Sequence, residues 1–444
     1  MNTFWIRRQY ALLMLPALTM AAGCDDITTL KQEDPSQILA STVYAPSNAA
    51  LLVNGAIGDF ECAFFRYTTA AGLLGDELVN AFNNTTTMQY DRRTNPPTGT
   101  YADACGGHQN PGVYTSLSVA RASADTILAR LEEWTDAQMP ANVNRQQLIG
   151  QASAYAGYSL ILLGEGFCSA SVNVGPELTS AQVFAEAKAR FDKAITAATA
   201  AGDQTTLNLA RVGRARTLMN LAFGGTTPDA ALIGQAVTDA SAVPLTFVVN
   251  AVAATTGTTR QQNTIFAHTG GPGSSNFSSV DPSFVGLTFG GQADPRVNVT
   301  VTTQRGTDNV TILRLQTKYA NLGAPAAIAR ATEARLIVAE ANALGIGGTP
   351  AAAVAIINAL HTAAGLPAYD PAAAGARTVV DQVREERRRE LFLESQRLGD
   401  MRRLNLPLIP AVGAPFPPSS QYGDQRCYPL PAVERNNNPN IPDV

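Results

Sequence analysis

Four long segments in the first half of the chain constrain its fold most, because each carries apolar residues at intervals of three and four positions. They cover residues 114–134, 145–165, 180–202 and 206–225. This spacing puts the apolar side chains on one face of a helix, and most segments end near a glycine, which commonly terminates helices. Short loops between the later segments favour antiparallel neighbours. The sequence predicts helix pairs of the tetratricopeptide type, although no strict repeat of about 34 residues is present.

A different texture, rich in Thr, Val, Gly and Asn, extends from about residue 244 to residue 315. VNVTVTTQ and DNVTILRLQ alternate as short strands do, and turn-forming residues surround them. We expect an irregular insert with a small hairpin, the kind of region that often carries a binding surface. Helical spacing returns at 326–345 and 350–367. The chain is therefore predicted to be mostly α, as a single domain over 48–444 with loop-rich insert and short strands.

The first 23 residues have the pattern of an export signal. Arg7 and Arg8 precede the apolar run ALLMLPALTM, which is too short to span a bilayer, and small residues lead to Cys24. AAGC resembles a bacterial lipobox, although Ala21 stands where a larger aliphatic residue is usual. We expect a lipoprotein signal peptide at 1–23 and a tether at 24–47 that is lipidated at Cys24. A soluble secreted protein is the alternative.

Four further cysteines remain for an oxidising compartment, where disulfides form. They are Cys62, Cys105, Cys168 and Cys427. Three pairings are possible, and we favour Cys62 with Cys105 and Cys168 with Cys427. No two of these cysteines have the close spacing of a zinc site, and the three histidines are scattered. We therefore predict neither a metal nor a cofactor.

The run ERRRELFLESQRLGDMRR at 386–403 concentrates charge in a chain with only 15% charged residues. Helical steps of three and four place Arg387 and Glu394 on an apolar stripe. Four opposite-charge pairs lie three or four residues apart: Glu385 with Arg389, Arg387 with Glu390, Glu394 with Arg397, and Arg397 with Asp400. Because a buried charge must be paired, we predict an internal ion network that fixes how this helix docks.

Catalysis and nucleic-acid binding fit this run poorly. Each glutamate has an arginine within one turn, which lowers its pKa and disfavours work as a general acid. Acids and bases alternate, and the whole chain has a formal charge of -4, so no broad attraction to nucleic acid is expected.

The same run closely resembles the C-terminal signature of the SusD/RagB family of outer-membrane nutrient-binding lipoproteins. Ser395 replaces the glycine of that signature, and Leu398 and Gly399 stand where larger aromatic residues are common. ARATEARLIVAEANALG, INALHTAAGLP and CYPLPAVERNNNPN resemble other family segments, in the family's order. Together with the lipobox, the resemblance spans nearly the whole mature chain.

The resemblance implies a SusD-like protein with four tetratricopeptide-like helix pairs. Such a protein lies on the outer membrane over a SusC-like, TonB-dependent β-barrel transporter. It captures an oligosaccharide or another nutrient and delivers it to the barrel without breaking bonds. We therefore expect a lipid-anchored, cell-surface binding protein that is not an enzyme, with its repeats facing the barrel and its irregular segments facing the ligand.

Aromatic residues in irregular segments are the candidates for ligand contact, because sugars stack on ring faces. We select Tyr90, Tyr101, Tyr114 and Phe277, although core packing is the commoner role for any such ring. Aromatic residues make up only 7% of the chain, which leaves room for a peptide or another non-glycan ligand.

Two other functions stay open at this stage. A surface-anchored glycoside hydrolase would need two carboxylates across a cleft, and Asp76, Glu77 and Glu165 are the acids to examine. A helical-repeat scaffold would bind proteins other than a transporter.

Overall fold

The computed structural model describes residues 40–417 and 419–442. The predicted signal peptide, Cys24 and most of the tether lie outside these residues. The chain divides into two units, Met1–Ala45 and Pro46–Val444. In the first unit, the described residues contain the short helix α1 (Ala40–Val43). All further elements belong to the second unit.

Long helices dominate the first half of the second unit. They are α2 (Ala49–Leu74), α3 (Thr85–Arg92), α4 (Tyr114–Glu133), α5 (Arg145–Gly166), α6 (Ser180–Ala201), α7 (Gln204–Ala222) and α8 (Ala230–Ser241). The helices α4 to α7 confirm the four segments predicted from apolar spacing, with small differences at their ends. Helices α2 and α8 were not among those segments.

Local sequence explains where these helices begin and end. At the start of α6, the Thr179 hydroxyl accepts a hydrogen bond from the Gln182 backbone N–H, while the Thr179 N–H donates to Gln182 Oε1 at 2.8 Å. This capping box gives a hydrogen-bond acceptor to two backbone N–H groups that the helix itself leaves unpaired. Gly202 ends the helix with φ +69°, a left-handed conformation that glycine adopts without a steric penalty.

Consecutive helices from α4 to α8 pack against one another, and α2 packs on both α4 and α5. Small residues bring α5, α6 and α7 close together around the Phe191 ring. A Cβ atom at Gly157 or Gly213 would lie 2.8 Å or 2.4 Å from that ring. The close packing of tetratricopeptide-like pairs therefore depends on glycine at these two positions.

The second half of the chain alternates short strands with helices. The helices are α9 (Thr264–Thr269), α10 (Ala331–Ala343), α11 (Pro350–Ala364), α12 (Val379–Glu390), α13 (Arg397–Arg403) and α14 (Ala432–Asn437). The strands are β1 (Leu78–Asn80), β2 (Ser169–Ser171), β3 (Glu177–Thr179), β4 (Val248–Ala251), β5 (Ser278–Val280), β6 (Thr288–Phe289), β7 (Gln292–Ala293), β8 (Val299–Arg305), β9 (Ile312–Gln316), β10 (Ala326–Arg330), β11 (Pro415–Phe416) and β12 (Ser420–Gln421).

All strand pairs are antiparallel and two-stranded: β1 with β5, β2 with β3, β4 with β10, β6 with β7, β8 with β9, and β11 with β12. The β8–β9 hairpin matches the two alternating segments of the predicted insert. Two of the pairs, β1–β5 and β4–β10, join segments far apart in sequence. The mostly α fold with short strands is thus confirmed.

Two elements differ from the prediction. Residues 326–330 form strand β10 instead of the first turn of a helix, because they pair with β4. The charged run forms two helices, α12 and α13, instead of one. The chain between them turns through left-handed conformations at Leu393 (φ +54°) and Ser395 (φ +70°).

Two disulfides cross-link the chain. Cys62 in α2 bonds to Cys105, and Cys168 bonds to Cys427, across 43 and 259 residues respectively. This is the pairing favoured from the sequence, and the second bond ties the C-terminal segment to the end of α5. Among the described helices, none combines the length and the hydropathy that a bilayer span requires.

Candidate ligand-binding cleft

The charged run docks α12 and α13 onto the rest of the fold through buried ion pairs. Arg387 is bonded to both Asp400 oxygens, at 2.8 and 3.0 Å, and Arg403 forms a bidentate pair with Glu340 at 2.8 and 2.7 Å. Burial alone would raise the pKa of Asp400, but Arg387 and Arg403 hold it well below its ordinary value. The side chains of this network are each 9% exposed or less, so the charges stabilise the fold only as pairs.

Most partners in the network differ from the local pairs that the sequence predicts. Only Glu385 and Arg389 pair within the helix as expected, at 2.6 Å. Glu390 contacts Arg296 and Arg330 instead of Arg387. Glu394 contacts Lys318 and Arg330, and Arg397 contacts Asp76.

The physical reason for these differences is the break between α12 and α13. An unbroken helix would keep residues three and four apart side by side, whereas the turn at 391–396 points Glu394 and Arg397 towards other elements. Cationic and hydroxyl groups also satisfy the carbonyls of the turn: Lys318 Nζ donates to Phe392 O at 2.8 Å and Tyr319 Oη to Leu393 O at 2.9 Å.

The network also contacts residues next to strands β1 and β5. Arg397 binds both oxygens of Asp76, just before β1, at 2.7 and 2.5 Å. The Leu393 N–H donates to Glu77 Oε1 at 2.7 Å, and the carbonyl of Glu77 accepts from the Asp281 N–H at 2.9 Å. The charged run thereby fixes the ends of β1 and β5.

A second link runs through Arg388. Its guanidinium lies 3.9 Å from the centre of the Phe284 ring, and Nη2 donates to Ser283 Oγ at 2.7 Å. Both contacts fix the short turn at Pro282–Phe284, which follows β5. The turn forms part of the wall of a large cleft.

The cleft has a volume of about 640 Å³. Its walls come from residues within 79–91, 281–283, 305–314 and 409–422, four segments far apart in sequence. The β8–β9 hairpin and the segment around β11 and β12 both contribute residues to its walls. A volume of this size is typical of small-molecule sites.

Two carboxyl groups lie buried in the floor of the cleft. Asp91 Oδ2 accepts a hydrogen bond from the Asn80 N–H at 2.6 Å, and burial, reinforced by Asp281, raises the pKa of Asp91 to about 7. Burial also raises the pKa of Asp281, whose Oδ1 accepts from the Ser283 N–H at 2.8 Å. Asp91 thus links α3 to β1, whereas Asp281 closes its own backbone turn, and the two acids are only 5% and 4% exposed.

Charged side chains on the hairpin wall of the cleft are Arg305, which is exposed, and Asp308 and Arg314, which are half-buried. Arg305 and Arg314 lie on its hairpin wall, and the buried Arg93 lies behind Tyr422, 4.8 Å from the centre of that ring. No salt bridge connects any of these three arginines to an acid within residues 40–417 and 419–442. Aliphatic side chains complete the rim, with Val310, Ile312 and Ile409 all more than a third exposed.

Three of the four aromatic candidates lie in the core, which corrects their predicted role in ligand contact. Tyr90 and Tyr101 pack on Tyr428 at ring distances of 5.5 and 5.0 Å, and Tyr114 packs on Phe167 at 5.1 Å. Each of the three tyrosines is 2% exposed or less. The segments that carry them fold over the C-terminal chain, so their ring faces are covered.

Phe277 is the remaining aromatic candidate, and it lies half-buried beside the cleft. Its ring packs edge to face on Phe82 at 4.9 Å, close to Asn80 and Asn83 of the cleft wall. No local sequence pattern indicates the residues that line the cleft. Arg314, Tyr422 and Ile409 come from segments whose proximity depends on the tertiary fold.

The three acids examined for hydrolysis serve the structure instead. Asp76 pairs with Arg397, and Glu165 forms a buried bidentate pair with Arg216 at 2.8 and 2.5 Å. Burial raises the pKa of Glu77 to about 7, but its carboxylate binds the Leu393 N–H, and Glu77 does not line the cleft. Gly399 permits the position of Glu165, since a Cβ atom there would lie 2.6 Å from its carboxyl carbon.

No group of three or more potential metal ligands occurs among the residues that the structure describes. The two cleft carboxyls therefore offer no assembled metal site.

Comparisons with a family model and with solved structures show what this chain is similar to. Residues 314–441 match the family model described as the SusD family. A SusD superfamily protein from Bacteroides fragilis has 16% identity and a TM-score of 0.67, with 90% of this chain and 99% of that chain covered. A search of curated protein sequences finds no significant match.

Two further solved structures share the fold. A SusD-like carbohydrate binding protein from Bacteroides vulgatus is 17% identical, with a TM-score of 0.63 and coverage of 90% of this chain and 98% of that chain. Surface glycan-binding protein A from Bacteroides uniformis is 16% identical, with a TM-score of 0.64 and coverage of 88% and 98%.

The helical repeats, the paired C-terminal helices and the loop-built cleft thus define a protein of the SusD-like fold. The family model matches the C-terminal part of the chain, and the solved structures share its fold over most of its length.

Proposed function

We propose that this protein is a cell-surface binding protein that captures a glycan in the 640 Å³ cleft. The observation that carries the proposal is the cleft itself: four segments distant in sequence converge on it, and the buried ion network fixes two of them. Proteins of the same fold are described as carbohydrate binding and glycan-binding, which supports a saccharide as the ligand.

Glycan binding can be tested by isothermal titration calorimetry after a glycan array has identified a ligand. Asn83 is exposed and lines the cleft, so Asn83→Trp should obstruct it and weaken binding at least tenfold. Asn436→Trp is the matched control, because Asn436 is exposed on α14 and does not line the cleft. Equal binding by both variants would place the ligand elsewhere.

Delivery to a TonB-dependent outer-membrane barrel is the second part of the proposal. It rests on the match of residues 314–441 to the SusD family model and on the lipobox-like sequence that ends at Cys24. The test is affinity isolation from detergent-solubilised membranes, with identification of the proteins that copurify. A stoichiometric TonB-dependent barrel is expected, and isolation of the protein alone or with unrelated scaffold partners would contradict delivery.

The lipid anchor has its own test. Lipidation of Cys24 would hold the protein on the outer membrane, since several acyl chains anchor stably where one does not. Cys24→Ala should therefore release the protein from the membrane fraction, while Cys168→Ala with Cys427→Ala should leave membrane attachment unchanged. Retention of the Cys24→Ala protein on the membrane would contradict the anchor.

Glycoside hydrolysis is the second candidate, and one observation favours it: Asp91 lines the cleft with a pKa of about 7. Hydrolysis needs one protonated and one ionised carboxyl, but burial raises the pKa of both Asp91 and Asp281. Because both pKa values are shifted in the same direction, the structure does not provide one protonated acid and one ionised carboxylate. Binding without bond cleavage is therefore the better proposal. Product release from the bound glycan that Asp91→Asn abolishes would reverse this conclusion.

A further inference from the structure

The arginines of this protein fall into two groups, and only one group is neutralised by acids. Arg387, Arg397 and Arg403 of the charged run each contact a carboxylate in a bidentate or shared pair. Arg305 and Arg314, which line the cleft, contact no carboxylate in the described part of the chain. An accessible guanidinium without a partner is the group that recognises an anion.

Arg314 is held in a fixed position with part of its guanidinium left over. Its backbone N–H donates to Ser279 Oγ at 2.9 Å, and its Nε donates to the Val280 carbonyl at 2.6 Å. These bonds fix the side chain against β5, while the two Nη groups have no hydrogen-bond partner among the described residues. The Nη groups are therefore the donors that Arg314 offers to the cleft.

Arg305 adds positive charge to the same hairpin wall, and Arg93 lies against the ring of Tyr422, a residue of the cleft wall. Arg305 is exposed, and its Nη1 donates to the Val310 carbonyl across the hairpin turn. Arg93 is buried behind Tyr422, and its Nη2 donates to the Pro410 carbonyl at 2.5 Å. Neither interaction neutralises the charge of the guanidinium.

The acids of the cleft do not cancel this charge at its surface. Asp308 accepts from the Val310 and Thr311 N–H groups at 3.0 Å and thereby closes its own turn. Asp91 and Asp281 are almost completely buried, and burial raises the pKa of both, although the charge of Arg314 opposes this effect at Asp281 from beyond ion-pair distance. A ligand in the cleft therefore meets guanidinium groups more readily than carboxylates.

Aliphatic surface adjoins the guanidinium groups. Val310 is 39% exposed, Ile312 40% and Ile409 45%, and all three line the cleft. The C–H face of a sugar ring can pack on such side chains, and an acidic substituent on the same ring can reach Arg314. Charge and apolar surface together suit a sugar that carries a carboxylate or a sulfate.

We propose that the cleft selects an acidic oligosaccharide, whose anionic group binds the Nη groups of Arg314 with Arg305 in support. This inference rests on the proposed glycan-binding function and names the class of its ligand. The anionic group of the sugar can be either a carboxylate or a sulfate, because both accept hydrogen bonds from a guanidinium.

Matched ligand pairs test the charge alone. The purified full chain is titrated calorimetrically with two ligand pairs: trigalacturonic acid and its fully methyl-esterified form, and 3′-sulfated lactose and lactose. In at least one pair the acidic member should bind tenfold or more tightly than its neutral partner, and higher salt should weaken that binding. The pair that responds distinguishes a carboxylate from a sulfate ligand.

Variants at Arg314 then assign the site. Arg314→Gln should lower affinity for the acidic ligand about tenfold to one hundredfold, as expected for loss of a charge-assisted hydrogen bond, and Arg314→Lys should recover part of it. Arg145→Gln is the control for net charge, since Arg145 pairs with Asp136 outside the cleft. The affinity of the Arg145→Gln variant for the acidic ligand should stay within twofold of that of the unmodified protein.

The outcomes separate this inference from the proposed function. If neutral glycans bind in the cleft and no acidic partner binds more tightly, the charge inference is wrong while glycan binding stands. If neither these pairs nor an array of neutral and acidic glycans gives binding, the glycan function itself fails, and the inference fails with it. A stronger response of acidic peptides than of any saccharide would also overturn it.

Discussion

The helices of the charged run and the walls of the cleft use arginine in opposite ways. In α12 and α13, Arg387, Arg397 and Arg403 each pair with a carboxylate, often from a distant part of the chain. Arg402 instead donates to backbone carbonyls at the end of α5. In the cleft, Arg305 and Arg314 have no acid partner among the residues that are described. A buried charge that is paired specifies how elements dock, whereas an accessible charge without a partner is available to a ligand.

The largest expected effect comes from breaking the paired group. Asp400→Asn would leave Arg387 and Arg403 buried without the carboxylate they share, and unfolding free energy should fall by about 3–5 kcal/mol. Urea denaturation followed by circular dichroism measures the loss. Asp136→Asn, which breaks the exposed pair with Arg145, should cost less than about 1 kcal/mol. Equal losses in the two variants would contradict the difference between buried and exposed pairs.

The pH dependence of Asp400 has a definite sign. Its folded pKa lies below the ordinary value of 3.8, because Arg387 and Arg403 overcome the effect of burial. Its ionised form therefore stabilises the fold above about pH 4, and this contribution is lost as the pH falls further.

Glu333 is the exception within the paired region, and replacing it should stabilise the protein. Both its oxygens are buried without an ion-pair partner in the described structure, and burial raises its pKa from 4.5 to about 7 against the opposing charges of Arg216 and Arg387. A raised carboxyl pKa means that stability falls as the pH rises from about 4.5 to 7. Glu333→Gln should therefore increase unfolding free energy by about 1–3 kcal/mol at pH 8 and give no such gain near pH 5.

Glu340→Gln is the matched control for that prediction. Glu340 is equally buried, but both its oxygens bind Arg403, at 2.8 and 2.7 Å. This variant should destabilise the protein at both pH values. A gain in stability from both substitutions would mean that pairing does not distinguish these two acids.

Ser395 tests the turn that redirects the charged run. It has φ +70°, and its hydroxyl is buried without a hydrogen-bond partner. The family signature has glycine at this position, and glycine adopts such a φ without strain. Ser395→Gly should raise unfolding free energy by about 1 kcal/mol. Ser159→Gly, in the interior of α5, should lower it by a similar amount, and the opposite order would contradict strain at Ser395.

The smallest effect on stability is expected in the cleft. Arg314→Gln removes a guanidinium that has no ion pair in the described structure but loses its hydrogen bond to the Val280 carbonyl, so unfolding free energy should fall by about 1 kcal/mol at most. The same substitution is predicted to weaken ligand binding strongly. Thermal unfolding checks this contrast, and a loss as large as that of Asp400→Asn would assign Arg314 a structural role.

Sequence patterns predicted the elements better than their contacts. Apolar spacing located α4 to α7 almost to the residue, since a helix depends on neighbours three and four positions away. The same spacing assigned residues 326–330 to a helix, but they form β10 because β4 is available to pair with them. Local preference decides an element only where no distant partner competes for its backbone.

The aromatic candidates show the same limit. Tyr90, Tyr101 and Tyr114 come from loop-rich sequence, where exposure is the usual expectation. They are buried because Tyr428 and Phe167 pack against them, and Tyr428 lies more than 300 residues after Tyr101 along the chain. Burial of a side chain in a loop depends on which distant segment covers it.

The sequence alone determined the helical class, the family signature and the fact that its charges must be paired, because these depend on residue type and local spacing. Only the tertiary structure decided which charges pair: Arg397 finds Asp76 across 321 residues of chain, although Glu394 and Asp400 lie within one turn. It also decided that Arg305 and Arg314 face a cleft without acid partners. Packing of the whole chain fixes these distances, and no local spacing encodes them.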